Sequence, residues 1–192
     1  MAHHERLFHH ERAHKLDDPE RRQWLPADAL VDRIARPGLR VADVGAGTGY
    51  FAIPLARAVL PGGRVFAVDL QPEMLDLLRA RVPPDLPVAL VDGEATRTTL
   101  PDTCVDLVLF ANVWHELDDH PAALAEAARI LAPGGRVAIL DWRKDVEQPL
   151  GPPLEHRIPP AEVGRTLEQH AWLIGSSETI GAYHYLIIAT PG

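Results

Sequence analysis

Residues 41–50 read VADVGAGTGY. Val41, Ala42 and Val44 form a short apolar run broken only by Asp43, and glycines follow at alternate positions, Gly45, Gly47 and Gly49. An apolar, helix-like segment begins directly after them. That order predicts a parallel strand buried on both faces, a tight turn and a helix N-terminus. Glycines in such a turn take positive φ and let a ligand approach the backbone without a Cβ in the way. A bulkier residue in a left-handed position costs about 1–2 kcal/mol. Spacing narrows the ligand. The dinucleotide fingerprint G-x-G-x-x-G places pyrophosphate at the helix N-terminus. Counted from Gly45, its last glycine falls on Tyr50, which disfavours a nicotinamide-dependent oxidoreductase.

Working outward, Pro26 to Arg36 reads as a helix with Leu30, Val31 and Ile34 inward, and Pro37-Gly38 ends it. A helix over 50–60 stops at Pro61-Gly62-Gly63, and RVFAVDL over 64–70 is the next strand. The same punctuation returns at Pro133-Gly134-Gly135 before a strand over Arg136 to Leu140. Repeated helix–turn–strand units imply crossovers feeding one parallel sheet. Asp69 ends its strand about twenty residues after the glycine turn, where an acidic side chain can accept hydrogen bonds from both ribose hydroxyls. Each such bond to a charged group contributes about 1.5–3 kcal/mol. The competing role for Asp69 is to cap the helix that starts at Pro72 and Glu73.

That helix runs over 72–82. A third strand, Pro87 to Val91, leads into Asp92-Gly93-Glu94-Ala95, and a fourth, Val105 to Phe110, leads into Ala111-Asn112-Val113-Trp114-His115-Glu116-Leu117. In open α/β sheets the carboxyl ends of strands face the ligand crevice. Asp118 and Asp119 cap the following helix, with Pro121 in its first turn and Leu124, Ala127, Ala128 and Leu131 as its buried stripe. The fifth strand ends in Asp141-Trp142-Arg143. A proline-rich loop over 144–160, carrying His156 and Arg157, is a natural place for substrate recognition. A helix from Ala161 to His170 and a hairpin of Trp172 to Ile180 with Ala182 to Ala189 close the chain.

Asp43-x-Gly45-x-Gly47-x-Gly49 resembles motif I of the class I S-adenosylmethionine (SAM) methyltransferases. Leu100-Pro101-Asp102 followed by Asp106 is similar to the L-P-D-x-x-x-D pattern of the branch containing ubiquinone- and menaquinone-biosynthesis (type 11) methyltransferases. The resemblance spans about residues 26–190 (a domain's usual extent). It implies an α/β fold, a three-layer Rossmann-like arrangement with a seven-stranded, mostly parallel sheet whose last strand is antiparallel. It implies SAM as cofactor and S-adenosylhomocysteine as product. Asp43, Gly45, Gly47 and Gly49 then line the methionine and ribose part, and Asp69 and Leu70 the ribose. Gly93, Glu94 and Ala95 reach the adenine, with Asp92 the rival of Glu94 for its amino group. Asn112 borders the methionine moiety, and His115, with Glu116 beside it, lies near the methyl group.

Methyl transfer from a sulfonium needs mainly position and electrostatics. A base is needed only where the nucleophile keeps its proton. His115, Glu116, Asp141 and His156 are the candidates; His115 leads by position and by an intrinsic pKa near 6.5. Its other reading is a structural hydrogen bond that pins the loop.

Composition bounds the acceptor. The 192 residues are 46% hydrophobic and 24% charged, with net charge −8, which suits one globular domain and disfavours DNA or bulk RNA. Cys104 is the single cysteine, so arsenite methylation, which relies on several thiols, does not fit. No N/D-P-P-Y/F/W follows the fourth strand, and a separate protein-recognition domain has no room. A small organic acceptor remains. No 18-residue apolar run or signal-peptide pattern occurs, and a reducing cytoplasm is the expected compartment. Residues 1–24 form an arm apart from the domain over 25–192. The arm carries His3, His4, His9, His10 and His14 and reads either as a mobile polar segment or as a metal-holding helix face; no metal is assigned. Its stretch through Arg21, Arg22 and Trp24 is a candidate cover over the cleft. A non-catalytic SAM-binding regulator on the same fold, and a metal-dependent O-methyltransferase using Asp141, are the alternatives to a small-molecule methyltransferase.

Overall fold

The computed structural model describes residues 8–16, 20–146 and 151–192. His3, His4 and residues 17–19 of the arm lie outside the described residues, as does the side chain of His14.

Strands β1 (Arg40–Val44), β2 (Arg64–Asp69), β3 (Val88–Asp92), β4 (Val105–Ala111), β5 (Leu131–Trp142), β6 (Trp172–Ile180) and β7 (His184–Pro191) form one sheet in the order β3-β2-β1-β4-β5-β7-β6. The first five are parallel; β7 runs antiparallel between β5 and β6. The order reverses direction between β1 and β4, so the ligand crevice of such a sheet opens above the carboxyl ends of that pair. β1 and β4 are buried almost throughout, as strands covered on both faces must be.

Six α-helices flank the sheet among the described residues: α1 (Arg21–Trp24), α2 (Ala27–Ile34), α3 (Ala52–Ala58), α4 (Pro72–Arg79), α5 (His120–Ile130) and α6 (Pro160–Gln169). On one face, Leu30 and Ile34 of α2 and Leu55 and Ala56 of α3 pack against Val41, Val65, Leu107 and Leu109. On the other, Leu124 and Ala127 of α5 and Val163 and Leu167 of α6 pack against Ala42, Val108, Phe110 and Ile139. The strand residues alternate between the two cores, as the two-residue period of a strand requires.

Two expectations need correction. Ala128 is exposed; the buried positions of α5 are Ala123, Leu124, Glu126, Ala127 and Ile130. Glu126 turns inward because it is fully partnered there. Its Oε1 accepts from the Thr98 amide at 2.7 Å and the Thr98 hydroxyl at 2.6 Å, and its Oε2 accepts from Arg129 Nε at 2.8 Å. The Arg129 guanidinium bonded to it holds the Glu126 carboxyl at about 2, against the weaker opposing effect of burial. The fifth strand begins at Leu131 rather than Arg136, because Leu131 pairs with Val105 before the register shifts between Val105 and Leu107. Pro133-Gly134-Gly135 therefore lies within the strand's bounds.

The carboxylates of the L-P-D-x-x-x-D pattern are structural. Asp106 accepts from the Arg40 amide at 2.9 Å and from its guanidinium at 2.7 and 3.1 Å, tying the amino ends of β1 and β4. Asp102 pairs with Arg129 at 2.5 Å, which fixes the segment between β3 and β4.

Candidate active site

The glycine turn is built as its spacing demands. Gly45, Gly47 and Gly49 have φ of +74°, +53° and +89°. A Cβ on Gly45 would collide with Val113, and one on Gly49 with Leu78. The amides of Gly45 and Ala46 donate to the Val68 carbonyl at 2.8 and 3.0 Å, which turns the chain over the end of β2. Asp69 locks the turn from the other side: its Oδ2 accepts from the Gly47 amide at 2.7 Å and its Oδ1 from the Gln71 amide at 2.9 Å. Each carboxylate oxygen retains a second lone pair, so the two oxygens can still receive two hydroxyls.

Asp43, at 1% exposure, lies beneath this turn with Oδ2 bonded to nothing. Burial, and then the neighbouring Asp69 charge, push its carboxyl up to about 7, while Arg21 pulls it the other way. The sequence marks Arg21 only as part of a candidate cover. It is buried, lies 4.0 Å from the Tyr50 ring centroid and donates to the Leu16 carbonyl at 3.0 Å. Tyr50, the residue that breaks the dinucleotide fingerprint, is thus the platform for this cation. A desolvated cation–π contact of that kind is worth about 2 kcal/mol.

Leu70 is exposed beside the turn. Gly93, Glu94 and Ala95 follow β3, and Glu94 and Arg97 close a small bridge by mutual backbone hydrogen bonds. A Cβ on Gly93 would lie 2.7 Å from the Thr98 carbonyl oxygen, so this bridge requires glycine there. The Glu94 and Asp92 side chains are both exposed at the crevice edge. Asn112 takes φ +59° just past β4, with its amide bonded to the Leu140 carbonyl at 2.8 Å and its Oδ1 buried without a partner.

His115 and Glu116 lie on a 3-10 turn, Trp114–Glu116, next to Asn112. Asp141, at the end of β5, holds His115 twice: Oδ1 accepts from Nδ1 at 2.8 Å and Oδ2 from the backbone amide at 2.9 Å. Nε2 is left with Glu116 Oε1 at 3.7 Å, beyond hydrogen-bond length. Burial lowers the His115 pKa, but the charge and hydrogen bond of Asp141, with Glu116 behind them, outweigh it and hold it above the ordinary value. Burial pushes the Glu116 carboxyl up to about 7, against the influence of His115. His156, the other candidate base, lies on a separate 3-10 turn, Leu154–His156.

The arm closes over these groups. The Phe8 amide donates to Glu116 Oε2 at 3.3 Å, and the His10 amide to Gln71 Oε1 at 3.0 Å. Gln71 Nε2 donates to the Phe8 carbonyl at 2.8 Å, and Leu16 lies 3.2 Å from where a Gly47 Cβ would stand. Residues 8–16 therefore bridge the ends of β2 and β4.

Residues 42–139, from the first strand to the fifth, match the methyltransferase domain of type 11. The chain belongs to the type 11 methyltransferase family. A SAM-dependent methyltransferase of Aquifex aeolicus has the same fold, with a TM-score of 0.89 and 32% identity over 95% of this chain and 98% of that one. An uncharacterized methyltransferase of Mycobacterium tuberculosis is 38% identical over 174 residues, 84% of this chain and 65% of that protein. The demethylmenaquinone methyltransferase of Deinococcus radiodurans is 36% identical over 122 residues, 63% of this chain and 50% of that protein. The chain therefore spans about two thirds to one half of the length of these two curated relatives.

SAM is the cofactor of this methyltransferase, and the buried groups fit it. The cofactor carries an ammonium and a sulfonium; the site offers an unpaired buried carboxylate oxygen at Asp43 and an unpaired carbonyl oxygen at Asn112. Leaving such groups without a partner costs about 1–3 kcal/mol each, which a cationic ligand removes. A consequence follows for pH. Protonated Asp43 is neutral and cannot pair with an ammonium. Affinity for S-adenosylhomocysteine is therefore expected to fall by about tenfold as pH drops from 7.5 to 5.5 through the raised Asp43 value. Calorimetry should show this slope flattened in Asp43→Asn and retained in Glu116→Gln.

Proposed function

We propose that this methyltransferase acts on a small organic acceptor, with His115 as the base that takes the acceptor's proton. The observation that carries the reading is the buried Asp141–His115 hydrogen bond with Nε2 turned away from it, beside the glycine turn. Asp141 fixes the tautomer with the proton on Nδ1, so Nε2 bears the lone pair. Its carboxylate also stabilises the imidazolium that forms when Nε2 takes a proton. Glu116 sits beside Nε2 and can relay that proton outward as the arm opens.

Asp43, Gly45, Gly47 and Asn112 hold the methionine portion of SAM in this reading, Gly49 shapes the turn, and Asp69 and Leu70 meet the ribose. Gly93, Glu94 and Ala95 meet the adenine, with Asp92 still the rival of Glu94. SAM supplies an activated methyl group when bound. The protein orients it, excludes water and accepts the proton. Residues 8–16 serve as the cover. The acidic net charge supports an acceptor other than a nucleic acid, and the name of the Deinococcus relative is that of an enzyme with a small-molecule acceptor. Among the described residues no helix is long and apolar enough to cross a membrane; with one unpaired cysteine, Cys104, we assign the chain to the reducing cytoplasm.

The test is a turnover assay that follows methyl-labelled SAM with pooled phenols, thiols and amines, and separately with bulk RNA. Label is expected in one or more small molecules and not in RNA. Incorporation into RNA alone overturns the reading.

A further inference from the structure

The polar side chains matched to the cofactor above are all acceptors. Asp43 and Asn112 offer buried, unpaired oxygens to its cationic end. The methionine portion also carries a carboxylate, and burying an anion without a counter-charge costs far more than burying a neutral group. At a strand–turn–helix junction an anion is ordinarily taken by backbone N–H groups at the helix N-terminus. Here four of the five amides of the turn over 45–49 are spent. Those of Gly45 and Ala46 donate to the Val68 carbonyl, that of Gly47 to Asp69, and that of Gly49 to the Ala46 carbonyl at 3.0 Å. A carboxylate beside this turn therefore calls for a side-chain cation.

Among the described residues the buried arginines are Arg21 and Arg157. Arg157 is turned elsewhere: it donates to the carbonyls of Pro152, Arg143 and Val146 at 3.0 Å each and lies 5.3 Å from the Trp142 ring centroid. Arg21 is at the turn. Its guanidinium lies 4.0 Å from the Tyr50 ring centroid and 5.7 Å from that of Phe51, the two residues that follow Gly49. Its Nη1 donates to the Leu16 carbonyl at 3.0 Å, and the Leu16 side chain stands 3.2 Å from the place of a Gly47 Cβ. Its charge also reaches Asp43, whose carboxyl it pulls down against burial. A buried cation and a buried carboxylate thus flank the same short turn. That is the arrangement required by an end group made of one ammonium and one carboxylate.

We propose that Arg21 binds the carboxylate of the cofactor's methionine portion and makes the site selective for cofactors that carry it over their decarboxylated forms. The proposal rests on the reading that pairs Asp43 with the ammonium. A guanidinium presents its N–H groups in one plane, in a fork that matches the two oxygens of a carboxylate. Contact with the Tyr50 ring holds the cation beside the turn, and the bond to the Leu16 carbonyl fixes its direction. Tyr50 stands where the dinucleotide fingerprint has its third glycine, so the position given up by that fingerprint supports the cation instead. Selectivity follows from charge. A decarboxylated ligand still brings an ammonium to Asp43, but it brings nothing to Arg21. It also sets a net positive charge beside a buried cation.

The test is calorimetry of the full chain with S-adenosylhomocysteine, its decarboxylated form and its deaminated form. S-adenosylhomocysteine is expected to bind about 10–100-fold tighter than the decarboxylated ligand, the preference given by a hydrogen bond between charged groups. Arg21→Met keeps a long side chain against Tyr50 and removes the charge. It should weaken S-adenosylhomocysteine by the same factor, change the decarboxylated ligand by less than about threefold, and bring the ratio of the two close to one. Arg21→Lys keeps the charge and loses the fork; its ratio should fall between the two, and it serves if Arg21→Met does not fold. Equal binding of the two ligands by the wild-type chain overturns the proposal. So does a folded Arg21 variant that weakens both ligands alike and leaves their ratio unchanged, because that is the mark of a purely structural arginine. Asp43→Asn checks the underlying reading: it should abolish the preference over the deaminated ligand and keep the preference over the decarboxylated one. If the preference over the deaminated ligand survives Asp43→Asn while Arg21→Met still abolishes the carboxylate preference, the ammonium assignment fails and the role of Arg21 stands.

Discussion

His115→Asn is expected to lower kcat by about 10²–10⁴-fold while S-adenosylhomocysteine affinity changes by less than about twofold. Asparagine is the informative replacement because its side-chain amide can stand where Nδ1 stands and donate to Asp141, whose Oδ1 lies 2.8 Å from that nitrogen. The bond that pins the loop is kept, and the lone pair of Nε2 is removed. If His115 only pins the loop, the variant should retain most of its activity. Stopped-flow single turnover with the acceptor found by screening separates the two. The pH profile adds a second check. A base must be neutral to work, so wild-type kcat/KM should rise with pH, with an inflection above the ordinary histidine value of 6.5, because Asp141 holds the His115 pKa up against burial. Asp141→Asn should move that inflection down, and a profile that does not move would separate the rising limb from this pair.

The parts of this site that could be read from sequence are those set by local rules. Positive φ at three alternate positions demands glycine over a few residues, so the turn over 45–49 is visible in the chain as written. Buried parallel strands announce themselves as apolar runs; Asp69 and Asn112 stand at the ends of such runs, and Asp43 interrupts one. What could not be read depends on contacts between distant residues. His184 and Trp142 meet only because β7 inserts antiparallel beside β5 in one register. Arg21 acquires its place from Tyr50, and Glu116 from the Phe8 amide, 108 residues away. Glu126 shows the same limit inside a helix. A hydrophobic stripe at helical spacing puts Ala128 inward, but four hydrogen bonds from Thr98 and Arg129 outweigh the cost of burying the Glu126 carboxylate. Asp102 and Asp106 mark the opposite case. They carry part of the family resemblance, yet they hold Arg129 and Arg40 and take no part in the crevice.

The glycine turn and the 3-10 turn carrying His115 meet where Gly45 approaches Val113, and disturbing that contact should have the largest effect on stability. Gly45 has φ +74°, and a Cβ there would collide with Val113, the residue between Asn112 and the turn that carries His115. Gly45→Ala combines two costs: about 1–2 kcal/mol for a left-handed alanine and about 1–3 kcal/mol for overpacking. Against a total stability of about 5–15 kcal/mol, the sum is large, and it should lower Tm by about 5–20 °C. Gly134→Ala is the control. Its φ is +78°, but a Cβ there meets nothing within 4 Å, so only the backbone cost applies and Tm should fall by about 2–8 °C. Adding Val113→Ala to Gly45→Ala should recover the packing share and not the backbone share. If instead the two glycine variants lose equal stability and the second substitution recovers nothing, Val113 does not link the glycine turn to the turn that carries His115. The coupling also predicts a kinetic difference. Folded Gly45→Ala should bind S-adenosylhomocysteine more weakly and turn over more slowly, because relief of the collision shifts Val113 and with it the segment that places His115 Nε2.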